Sequence, residues 1–153
     1  MRKIESLLNE YGESHTNRIN IGIHAIAVPA IYFVTIALLW SLSTPKLLDY
    51  FGVTWAHIIL LPTLYYYFKL SGPIGAAMTL LSIVSFLGIQ LLELADIVVW
   101  QFSLVLFIVM WILQFIGHHI EGKKPSFIKD LQFLLVGPAW WWGHWLKRLN
   151  INY

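Results

Sequence analysis

The stretch Gln114-Phe-Ile-Gly-His-His-Ile-Glu-Gly-Lys-Lys-Pro125 closes a long apolar run. Gln114, His118, His119 and Glu121 stand where a membrane helix would leave the bilayer, a place where polar groups need partners or a task. Residues three, four and seven apart share a helix face. Gln114, His118 and Glu121 are therefore aligned, while His119 points roughly a quarter-turn away from His118. One other stretch is built alike. Between Tyr11 and Pro29, Asn17, Asn20 and His24 share a face at the start of an apolar run, and His15 precedes it.

The rest of the chain supports a membrane setting. Of 153 residues, 58% are hydrophobic and 12% charged, with a mean hydropathy of +0.68; soluble domains carry about 25% charged residues. Eight Trp and seven Tyr suit aromatic belts at the two interfaces. A net charge of only +2 gives no support to a nucleic-acid partner. The lack of cysteine excludes disulfides, thiolate-bound metals and thiol catalysis. Nucleophile elbows, P-loops and His-Glu-x-x-His motifs do not occur. The polar opening residues carry mixed charge, unlike a signal peptide.

These patterns predict an all-α membrane protein with a single integral membrane domain over 1–153. Ile4, Leu7, Leu8 and Tyr11 recur at helical spacing and predict an N-terminal amphipathic helix on or against the membrane. Four transmembrane helices are expected over 19–40, 53–70, 74–92 and 97–117, since a span needs about 20 residues. Pro29 and Pro62 are expected to kink the first two. The segment 127–146 is broken by Gly137-Pro138 and is expected to form a re-entrant or interfacial hairpin. In this layout nine Lys and Arg fall on the side of the termini and one, Lys46, on the other. The positive-inside rule then puts both termini in the cytoplasm, at a bacterial inner membrane or the endoplasmic reticulum. His15, His24, His118, His119 and His144 all fall near that face, and His57 near the opposite one.

Neutral imidazole is the commonest metal ligand. Several His without Cys suit Zn, Fe, Cu or Ni rather than Mg or Ca. Asn17, Asn20 and Gln114 are placed to hydrogen-bond such ligands. Glu121 either joins them or completes a His-plus-carboxylate set with open positions, as non-haem Fe(II) uses with O₂. Plainer readings stand beside these. His57 reads as an interfacial belt residue, His144 as part of the belt of Trp140, Trp141, Trp142 and Trp145, and His119 as a helix C-terminal cap. The amides also serve as interhelical glue. Lys123 and Lys124 read as a topology signal or as an attractor of an anionic lipid or fatty-acid carboxylate.

The pattern Tyr11-x₃-His15-x-Asn17-x₂-Asn20-x₃-His24, followed by Val28-Pro29, is similar to the N-terminal signature of a small membrane family. So is Gln114-Phe-Ile-Gly117-His118, followed by Glu121, basic residues, Pro125 and Gly137-Pro138. The family is the Fe(II)-dependent 2-hydroxy-fatty-acid dioxygenases of fatty-acid α-oxidation, and the resemblance covers nearly the whole chain in order. It implies removal of one carbon from a long-chain 2-hydroxy fatty acid with O₂. It also implies iron ligation by His15, His24 and His118. His144, six beyond Pro138 where some members are acidic, is implied as a further ligand, with His119 an added imidazole.

The resulting expectation is one Fe(II) in a cytoplasm-facing pocket between the first and fourth spans. His24, His118 and Glu121 are expected at the reaction centre, His15 and His144 complete the ligand set, and Lys123 or Lys124 meets the substrate carboxylate. The acyl tail would lie between helices. Two rivals are a haem-binding electron carrier and a non-catalytic lipid-binding membrane protein.

Overall fold

A computed structural model describes residues 3–13, 15–122 and 127–152, with the backbone alone for residues 3 and 127–134. Among the described residues the regular elements are all helices: α1 (Lys3–Gly12), α2 (Arg18–Trp40), α3 (Lys46–Tyr50), α4 (Trp55–Leu70), α5 (Gly72–Leu94), α6 (Val99–Glu121) and α7 (Phe127–Arg148). Three of them, α2, α5 and α6, are long and apolar enough to cross a membrane. The second expected span, 53–70, yields an α4 of 16 residues. That is about 24 Å of helix against a hydrocarbon core of about 30 Å. Its start is set by Thr54 and His57: the His57 ring accepts the Thr54 backbone N–H at 3.1 Å and closes the first turn.

The central helix is α2. It packs along α6, meets α4 and α5 elsewhere, and carries α7 near its start. Helices α2 and α6 run antiparallel, so the end of α6 lies beside the beginning of α2. At the far end Trp40 donates its indole N–H to Glu93 at 2.9 Å, tying the last turns of α2 and α5. Between these ends α4 touches two apolar cores. Its Ala56 belongs with Ile36, Ala37, Ile89 and Val99. Its Tyr67 belongs with Ile4, Leu8, Tyr11, Ile74 and Met78. The outward faces of α5 and α6 expose Leu80, Ile83 and Leu87, and Val105, Ile108 and Ile112, a surface suited to lipid rather than water.

Two expectations change. The apolar stripe of α1 does not face outward: Ile4, Leu8 and Tyr11 are buried against Val136, Ala139, Trp140 and Leu146 of α7. The segment 127–146 is not a hairpin; one helix of 22 residues runs through Gly137 and Pro138. A proline costs a helix one donor. Beside this one, Tyr67 donates its hydroxyl to the Leu135 carbonyl at 2.6 Å. Gly137 lets Tyr11 close in, since a Cβ there would lie 3.2 Å from the Tyr11 hydroxyl. Packing therefore holds a turn that local sequence would break. At Pro29 inside α2 the freed carbonyl itself is met, because Trp141 donates to the Ala25 carbonyl at 3.0 Å.

Candidate metal centre

Three segments bring three imidazoles together. His15 lies in the link between α1 and α2, His24 on the second turn of α2, and His118 on the last turn of α6. One ring nitrogen from each lies within 4.8 Å of the others. The ring centroids are separated by 4.4 Å (His15–His24), 5.0 Å (His24–His118) and 5.6 Å (His15–His118). Three nitrogens that share one ion lie about 3.0–3.4 Å apart at the usual metal–nitrogen length, so the rings would draw inward to hold an ion together.

Backbone carbonyls set the rings. His15 Nδ1 lies 2.8 Å from the Tyr11 carbonyl and His24 Nδ1 lies 3.0 Å from the Asn20 carbonyl. A carbonyl only accepts, so each Nδ1 carries the proton and each Nε2 keeps its lone pair. His24 is fully buried, and its Nε2 has no hydrogen-bond partner. An orphaned acceptor in that setting suits a metal ligand. The donor set, three imidazoles and no thiolate, suits Fe, Zn, Cu or Ni. Tyr11 stacks flat on His15 at 4.2 Å, and Trp140 stands 5.4 Å from the same ring. With three imidazoles meeting edge to face, no flat slot for a porphyrin opens between two of them.

Glu121 holds the frame. One carboxylate oxygen accepts the Thr16 N–H at 2.9 Å and the Thr16 hydroxyl at 2.5 Å. The other accepts the Asn17 N–H at 3.0 Å and the Asn20 side-chain amide at 2.9 Å. The end of α6 thereby places an anion at the N-terminus of α2, where the helix dipole favours it. Asn17 caps the same helix through the Ile19 N–H at 2.9 Å. Asn20 links the frame to the ligands, with its amide on Glu121 and its carbonyl on His24.

Gly117 completes the crossing. A Cβ there would fall on Asn20 Oδ1 and come within 3.4 Å of the His24 ring. Only glycine lets α6 approach closely enough to bring His118 to His24. The sequence pattern contained Gly117 without giving it a task, although a glycine beside an aligned polar face is the available signal.

The other expected residues are placed apart. His119 is exposed on the outer side of α6. His144 is exposed, with its Nδ1 3.0 Å from the Trp140 carbonyl and Trp140 standing between it and His15. Neither belongs to the three-imidazole group. Lys123 and Lys124 lie outside the described residues. His57, at the far end, stacks on Phe86 at 5.0 Å.

An apolar cavity of about 210 Å³ adjoins the site. Tyr11, Gln114 and Gly137 border its near end; Ile36, Leu39, Ala56 and Leu60 line its far end.

No curated protein and no solved structure matches the chain. A family model does, over residues 1–149, a range that holds the seven helices of the described residues and every histidine. Its description is 2-hydroxy-palmitic acid dioxygenase Mpo1-like, and the chain belongs to this Mpo1-like family.

Proposed function

We propose that the protein is a membrane-embedded, non-haem iron dioxygenase that shortens long-chain 2-hydroxy fatty acids by one carbon. The observation that carries this reading is the convergence of His15, His24 and His118 beside an apolar cavity. The family description supplies the substrate class. In this reading the three imidazoles hold Fe(II), which supplies O₂ activation and a seat for oxygen donors when bound.

The chain's own residues bind, orient and shield. The carbonyls of Tyr11 and Asn20 keep the Nε2 lone pairs of His15 and His24 toward the centre. Glu121 is a positioning residue: four donors already engage its carboxylate, and it fixes the link that carries His15. Tyr11 and Trp140 wall the centre with aromatic rings and limit water. Gln114 lies beside His24 on the wall shared with the cavity; an amide there can donate to a substrate carboxylate or accept from its hydroxyl. The helix α4 makes a fourth crossing with the help of its flanking residues. The excess of Lys and Arg on the side of the termini supports a centre facing the cytoplasm.

The test is direct. Full-length protein, purified and loaded anaerobically with Fe(II), is given 2-hydroxypalmitate and O₂, and the fatty acid one carbon shorter is expected. Iron-loaded protein that yields none of it overturns the reading, as does a Soret band from a co-purifying haem.

A further inference from the structure

The cavity has a direction. At its near end stand Tyr11, which stacks on His15, and Gln114, which lies beside His24. At its far end only carbon is presented, by Ile36, Leu39, Ala56 and Leu60. Three hydroxyls lie between, and each is engaged elsewhere. Thr35 Oγ1 donates to the Ile31 carbonyl at 2.7 Å and Thr63 Oγ1 to the Ile59 carbonyl at 2.8 Å. Tyr32 shares its hydroxyl with Ser82 at 2.7 Å. The hydroxyls are therefore satisfied by the protein itself, and nothing in mid-cavity calls for a polar ligand.

The cavity also has a stop. Ile36 and Ala56 belong to a packed core, with Leu39 and Leu60 against it. Along α2 the lining runs from Val28 to Leu39, about 16 Å at 1.5 Å per residue. That is close to half the ~30 Å hydrocarbon core, the depth one long acyl chain fills in a leaflet. Ile59 and Leu135 line the cavity and remain exposed on the outer surface. The side of the cavity is thus open toward lipid, while its end is closed.

We infer that this cavity is a chain-length ruler: the acyl tail lies along α2 with its carboxylate end at Gln114, and Leu39, Ala56 and Leu60 set the longest chain accepted. This rests on the proposed 2-hydroxy-acid chemistry and goes beyond it in naming the residues that select among substrates. Ala56 has the smallest side chain at the stop and is the position where added bulk shortens the channel. Leu39 and Leu60 are the positions where removed bulk lengthens it.

The experiment measures binding of 2-hydroxy acids to full-length protein in nanodiscs, by competition against radiolabelled 2-hydroxypalmitate. Turnover of the same acids is measured in parallel. Each methylene moved out of the cavity is expected to weaken binding roughly fourfold. Ala56→Leu is expected to weaken 2-hydroxypalmitate by about fifteenfold and to shift the optimum about two carbons shorter. Leu39→Ala and Leu60→Ala are expected to shift it longer, so a folding defect in one variant leaves the opposite shift to be read in the others. A wild-type preference with an optimum that stays fixed in every folded variant overturns the ruler alone. Wild-type protein that neither binds nor turns over any 2-hydroxy acid overturns the functional reading and the ruler together.

Discussion

Trp141 of α7 donates its indole N–H to the Ala25 carbonyl of α2. This is the carbonyl that Pro29, four residues on, leaves without its usual helical donor. Within a bilayer no water can replace the missing bond. Trp141→Phe is expected to lower stability by about 1–3 kcal/mol. In a Pro29→Ala background the carbonyl regains a helical partner and the same change costs less. Thermal unfolding of the four proteins in detergent gives the coupling; equal losses in both backgrounds would separate the indole from the proline.

Glu121 is expected to behave as a clamp. Glu121→Ala removes the cap that α6 provides for α2 and lowers stability by about 1–2 kcal/mol. Iron affinity falls roughly 10- to 100-fold as the ligands lose their orientation, while the stoichiometry at saturating Fe(II) stays at the wild-type value. A lost equivalent of iron at saturation would make the carboxylate a ligand instead.

Gly117 and Asn20 meet at the helix crossing. Gly117→Ala forces its Cβ onto Asn20 Oδ1, an overpacking expected to cost about 1–3 kcal/mol. Shortening Asn20 to Ala removes the obstacle and also the hydrogen bond to Glu121. The double variant is therefore expected to be more stable than the sum of the single losses implies. Strict additivity in a double-mutant cycle would mean that the two residues do not touch.

The histidines divide into two groups. His15→Ala, His24→Ala and His118→Ala are each expected to abolish retention of iron through gel filtration. His119→Ala and His144→Ala are expected to retain it, because their rings lie outside the cluster. Elemental analysis of the five variants decides the grouping, and iron lost on changing His144 would bring that residue into the ligand set.

Much of this was legible before the structure. The all-helical class followed from the apolar runs, and helical phase separated His118 from His119 and put Asn20 with His24. Three of the spans appear as helices long enough to cross. The misses have physical causes. Gly137-Pro138 reads as a break because a local rule sees a missing donor; the packing of Tyr11 and Tyr67 against that turn, from more than sixty residues earlier, is invisible to it. The α1 stripe reads as interfacial because an amphipathic face does not name what covers it. Glu121 stays open in the sequence between a ligand and a hydrogen-bonding group, and its four long-range donors show how it is engaged. His144 reads as a belt residue or, by the resemblance, as a further ligand; in the structure Trp140 stands between it and the cluster.

The frame joins Thr16, Asn17 and Asn20 to Glu121 across more than a hundred residues, and this bears on how the protein is made. In the proposed membrane setting α2 is inserted during synthesis long before α6 exists, so Asn20 and His24 first enter the bilayer without their final neighbours. The mean hydropathy of 2.1 across the best window of α2 is what carries these two polar side chains in. The docking of α6 onto α2 then becomes the step that builds the centre. A chain interrupted before residue 117 would hold an inserted helix with an exposed polar face, a form for membrane quality control to recognise.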